Sequence, residues 1–165
     1  MGPMPSLPGK EALRDELLRL LEGELSAAER AHRATCEGVA HADAKPENDK
    51  DTRALEQSYL ARGQASRVAE LRAAVAELRA MALRAFAPGD PAALGALVTA
   101  ERDDGEALTV WLAPQGGGSR LGGGRVQVVT PKSPLGRAVL GKREGEPSEV
   151  TLAGKARDLT ILRVA

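Results

Sequence analysis

The stretch Val129-Thr-Pro-Lys-Ser-Pro-Leu-Gly-Arg-Ala-Val-Leu-Gly-Lys-Arg-Glu-Gly145 decides how the second half of this chain is read. It follows Val126-Gln-Val-Val129, a β-branched run that suits a buried strand. Ser133 is a good cap residue, and Pro134 fits the first helical position, where an N–H would be unsatisfied anyway. Gly141 supplies a stop. The spacing predicts one short helix between two strands. Working outward, strands are predicted over 94–100, 107–113, 125–130, 149–152 and 159–164, separated by glycine-containing turns. Alternation is clearest in Ala107-Leu-Thr-Val-Trp-Leu112, and the closing Leu159-Thr-Ile-Leu-Arg-Val164 suits a more buried strand. About 75 residues of this kind make a compact sheet with a helix over one face, large enough to fold independently.

The grammar changes near Phe86. The segment Ala87-Pro-Gly-Asp-Pro91 is a breaker cluster. It divides the chain into residues 1–86 and 87–165. In the first part Leu13, Leu17, Leu20, Leu21 and Leu25 recur at three- and four-residue steps, and Ala28, Ala31 and Thr35 continue the stripe with smaller side chains. A second stripe is read as Leu55 and Tyr59, then Val68, Leu71, Val75, Leu78 and Ala82. One narrow apolar stripe per helix is what a two-helix seam needs. Between the stripes, Pro46 cannot sit inside a helix, and Asn48, Asp49 and Asp51 favour turns and caps. The chain must therefore reverse. The expected fold class is α+β: an antiparallel coiled-coil hairpin, then the small sheet domain.

Bulk numbers narrow the function. Lys plus Arg and Asp plus Glu are 23 each, so the formal charge is zero, which disfavours a free-standing nucleic-acid binder. Only Tyr59, Phe86 and Trp111 are aromatic, too few for an aromatic-lined ligand pocket. The lone Cys36 forbids an internal disulfide. No run approaches membrane-spanning length, and the amino terminus lacks the apolar stretch of a signal peptide, so a cytoplasmic protein with no membrane partner is expected.

Residues 129–145 closely resemble the signature of the Gre-factor family of bacterial transcription-elongation proteins. In that family a strand leads into S-P-L-[AG]-R-A-L-L-G-K, followed shortly by a glycine and another strand. The order of elements from Leu94 to Val164 fits too, and Arg67-Val-Ala-Glu-Leu71 is similar to the family's second-helix pattern. The resemblance implies an FKBP-like carboxy-terminal domain that docks on RNA polymerase at the mouth of its secondary channel, through the motif residues Ser133, Pro134, Leu135, Arg137 and Lys142. It further implies a coiled-coil arm whose acidic tip holds a catalytic Mg²⁺ in the polymerase active site. The tip itself departs. The family's cleavage factors carry G-D-L-S-E-N-A-E-Y there, whereas this chain has Lys45-Pro-Glu-Asn-Asp-Lys-Asp51, in which only Glu47-Asn48 matches the E-N pair. The tip is closer to a Gre-like branch reading K-P-E-N, then D-T-R and S-Y-L-A.

As chemistry, the acids near 43–51 form an oxygen-only donor set, which favours a hard divalent ion that keeps waters and shares phosphate ligands. Glu47, Asp49 and Asp51 lie closest to the turn and are the expected metal-assisting residues. They would share Mg²⁺ with RNA polymerase and help it activate water against a phosphodiester. The chain then holds no cofactor alone, is not itself an enzyme, and meets nascent RNA only indirectly, as a monomer or weak dimer. The plain alternative is that these acids cap a helix and solubilise a loop. An EF-hand is excluded by the missing D-x-D-x-D-G pattern. A Gre-like inhibitor that occupies the channel without cleavage, and a coiled-coil adaptor for a different partner, are the competing functions. Elsewhere, the arginines of the arm read as a solvated face laced with i,i+4 pairs. Glycine-rich 116–124 lacks a phosphate-loop ending and reads as a flexible connection. His32, His41 and Cys36 have no partners at metal-ligand spacing.

Overall fold

The computed structural model describes residues 6–43 and 51–165, and of residues 41–43 and 51 the backbone only. Two long helices come first, α1 (Lys10–Asp43) and α2 (Asp51–Ala80). Strands β1 (Leu97–Arg102), β2 (Ala107–Leu112), β3 (Arg120–Leu121) and β4 (Val126–Val129) follow, then α3 (Pro134–Val139), β5 (Pro147–Leu152) and β6 (Lys155–Val164). The α+β class expected from the sequence is the class observed. The chain forms two compact units. One joins the residues up to Leu18 with Glu77–Ala165, and the other is Arg19–Ala76.

In the Arg19–Ala76 unit the helices pair antiparallel. Only seven residues separate them in sequence, and these bridge at most about 25 Å, whereas a parallel return would run back along a helix of roughly 50 Å. Val68, Leu71, Ala74 and Val75 are buried, together with Leu21 on the facing helix. The predicted stripe fails further along α2. Leu55 and Tyr59 are 53% and 60% exposed, and the half-buried positions are Ala54, Ser58, Ala61 and Gln64. The reason is phase. The nine residues from Tyr59 to Val68 make two and a half turns, which puts Tyr59 on the opposite side of the helix. On α1 the same arithmetic turns Ala31 outward and brings His32 into the half-buried row. The charged faces differ as well. Arg72 pairs with Glu29 at 3.0 Å and Arg67 with Glu24 at 3.5 Å, between helices rather than at i,i+4. Such exposed pairs each contribute about 0–1 kcal/mol.

In the other unit the sheet runs β3-β4-β2-β1-β6-β5, with β2 and β4 parallel and every other neighbour antiparallel. Alternation sorts its residues. Val98, Ala100, Val110, Leu112, Val129, Leu159 and Ile161 join Leu135, Ala138 and Val139 of α3 in one core. Trp111, Leu121, Val126 and Val128 are fully buried but lie outside that cluster, on the opposite face. That face is covered too: Leu13, Leu17 and Leu78 are fully buried within the same unit. Leu17 packs so closely on Gly116 that a β-carbon there would lie 2.7 Å from Leu17 Cδ1. Gly116 also has φ +83°, so glycine is required twice over. A sheet with a helix over one face was the expectation; the start of α1 and the end of α2 cover the second face.

Two strand boundaries moved and one strand was added. The first strand begins at Leu97 instead of 94, because Gly95 takes a left-handed φ of +94° and turns the chain just before it. The last strand begins at Lys155, since β5 and β6 form a hairpin through Ala153 and Gly154, both at positive φ. The glycine-rich stretch is not a featureless connection. It contains β3, whose Leu121 is fully buried, and Glu16 of α1 accepts a 3.0 Å hydrogen bond from Gly122 N.

Candidate functional site

Two regions carry the functional expectations. Of the tip residues, Glu47 and Asp49 lie outside the described residues, and Asp51 opens α2 with its side chain outside the description. Among the described residues no group of three or more His, Cys, Asp and Glu side chains is arranged to hold a metal. Cys36 is exposed, with its sulfur 3.6 Å from His32 Nε2 one turn earlier.

The motif around α3 is built as its sequence suggests. Ser133 is the N-cap at φ −70° and ψ 156°, Pro134 follows in the first turn, and Gly141 sits just past the end at φ +79°. Ser133 Oγ accepts from Gly136 N at 3.0 Å and donates to Thr130 O at 2.8 Å. One hydroxyl thus satisfies an orphan helix N–H and ties the helix to the end of β4. Replacing Ser133 with Ala is expected to cost about 1 kcal/mol, read as a lowered urea midpoint with unchanged slope. An unchanged midpoint would show that the cap is dispensable.

The five predicted docking residues do not share one role. Pro134 and Arg137 are exposed on successive turns of α3 and are available to a partner. Lys142 is half-buried, and its carbonyl accepts from Ala92 N at 2.8 Å. Leu135 requires correction. It is 7% exposed and belongs to the core, because the amphipathic helix must bury the side that faces the sheet. Its side chain anchors the surface and does not form it. Sequence reasoning also missed a groove of about 460 Å³ beside α3, lined by Glu77, Leu94, Pro114, Gln115, Pro131 and Lys132. These residues come from four separate segments. Only the exposed Leu94, next to a breaker, offered a sequence signal.

Comparison with known proteins defines the class first. Residues 87–165, which carry the sheet and the capped helix, match the family model described as transcription elongation factor, GreA/GreB, C-term. The transcription elongation factor GreA of Methylococcus capsulatus is 33% identical over 159 residues, which are 94% of this chain and 92% of that relative. The chain belongs to the GreA/GreB family of transcription elongation factors. Among solved structures, GreA factor homolog 1 (Gfh1) of Thermus thermophilus is 18% identical with a TM-score of 0.40, covering 90% of this chain and 94% of that one. Gfh1 of Thermus aquaticus is 18% identical with a TM-score of 0.41, covering 88% and 92%. GreA/GreB factors act on RNA polymerase and are its cofactors rather than enzymes themselves. No helix among the described residues is long and apolar enough to cross a membrane.

Proposed function

We propose that this chain binds bacterial RNA polymerase at its secondary channel and stimulates the polymerase's own cleavage of backtracked RNA. The sheet domain docks through the surface around Pro134 and Arg137, and the helical arm carries Glu47, Asp49 and Asp51 to the active site. There the carboxylates share Mg²⁺ with the polymerase, and the metal orients and deprotonates the attacking water. The protein works in the cytoplasm, where the polymerase is. The observation that carries the reading is the match to a GreA along nearly the whole chain, hairpin included.

A second reading is favoured by one observation, the replacement of the family's tip sequence by Lys45-Pro-Glu-Asn-Asp-Lys-Asp51. A factor with a changed tip can occupy the channel and exclude cleavage. One assay separates the two. Purified protein is added with Mg²⁺ to a stalled, backtracked elongation complex, and transcript length is followed. Shortening from the 3′ end establishes a cleavage factor. A constant length, with suppression of cleavage by added GreA, establishes an occluding one.

A further inference from the structure

Phe86 is 9% exposed and fixed in the core cluster, yet two cations lie over its ring. Lys10 Nζ is 4.6 Å from the centroid and the Arg84 guanidinium carbon 4.2 Å. Lys10 also donates to the Arg84 carbonyl at 2.8 Å, and one turn along α1 Arg14 donates to the Met81 carbonyl at 3.1 Å. None of the three cations forms an ion pair among the described residues. Burial, and then the Arg84 charge, hold the Lys10 ammonium below its ordinary pKa. Like charges are therefore held by a ring face and two carbonyls, with no carboxylate paired to them among the described residues.

We propose that Lys10 and Arg84, which lie over the Phe86 ring, form with Arg14 one turn further along α1 a binding site for a phosphate oxyanion. Lys10 keeps two unused N–H donors, and the guanidinium of Arg84 has no hydrogen-bond partner among the described residues. A single carboxylate would neutralise one of three charges. A di- or polyphosphate presents more charge and more acceptor oxygens to the guanidinium forks and the ammonium point charge. The phosphate comes either from a free polyphosphate or from the backbone of an RNA strand, and none of the three cations belongs to the tip or to α3.

The test is an NMR titration of the full chain with inorganic pyrophosphate and, separately, with a single-stranded RNA lacking terminal phosphates. Saturable shifts at Lys10, Arg84 and Phe86, with a rise in the Lys10 pKa, are the expected result. In the Lys10→Gln/Arg84→Gln protein binding should weaken by at least about tenfold, while Arg84→Lys retains part of it. Response to pyrophosphate alone assigns a free polyphosphate, and response to the RNA assigns a strand. Absence of saturable shifts with both probes, or undiminished binding by the double variant with its fold intact in the same spectra, overturns the proposal.

The same geometry fixes a pH effect. Because the folded pKa of Lys10 is lowered, its protonated form is disfavoured by folding. The resulting cost is full below the folded pKa and disappears as pH rises through it towards the unfolded value. Arg84→Gln should therefore raise the Lys10 pKa, measured on its Cε resonance. A lowered or unmoved pKa would show that Arg84 exerts no such influence.

Discussion

Replacing Glu47, Asp49 and Asp51 together with Ala is expected to reduce stimulated transcript cleavage by roughly a hundredfold or more, on the scale of losing metal-centred charge stabilisation. Polymerase binding should change little, because the proposed docking surface lies on α3. In the proposed role the carboxylates are hard oxygen donors to the metal, and Ala would offer no substitute ligand. Loss of fold does not supply an alternative explanation. Asp51 opens α2, where an acid favours the helix dipole, and its removal costs about 1 kcal/mol or less. The check is single-turnover cleavage at saturating factor, with polymerase affinity measured in parallel. Cleavage that survives the triple replacement would sink the metal-assisting role. Loss of both cleavage and binding would relocate the tip's contribution from chemistry to docking.

The second large effect is structural. Trp111→Ala should destabilise the sheet unit by about 3–5 kcal/mol, the range for removing a buried Trp side chain. Trp111 is fully buried in β2 between Leu97 on β1 and Val128 on β4. Its Nε1 donates to Gly95 O at 3.2 Å, so the turn before β1 is pinned to the centre of the sheet. Removing the ring empties a large volume and leaves that carbonyl without its side-chain donor. Unfolding followed by circular dichroism should show the loss, since this is the chain's one Trp and its fluorescence goes with it. Trp111→Phe should cost less, because most of the volume stays. A similar cost for both variants would mean that the hydrogen bond dominates.

Much of this was legible in the residues. Pro134 with a fixed φ, Ser133 as a short acceptor before it and Gly141 after it are local devices, and local devices work wherever the chain places them. The same holds for the two-period alternation in β2 and the leucine spacing from Leu13 to Leu21. The family was legible too, because the 129–145 motif is contiguous. Where the residues mislead, a linear order of apolar positions carries neither helical phase nor the direction of the core. Leu55 and Tyr59 continue the second apolar stripe along the sequence, and helical phase sets them outside the seam. Leu135 was read as part of a surface motif, although the helix it belongs to has one side that must be buried.

What the sequence determined by itself was the set of elements, the capped helix, the reversal between two long helices and the family. Each depends on neighbours within a turn or two, or on a contiguous pattern. Tertiary structure alone decided which faces those elements bury. Glu16 meets Gly122 across 106 positions, Leu17 packs on Gly116, and Lys10 shares the Phe86 ring with Arg84. No local rule brings such residues together. They meet because both faces of the sheet must be covered, and the closest apolar stripe able to cover the second face belongs to the start of α1 and the end of α2.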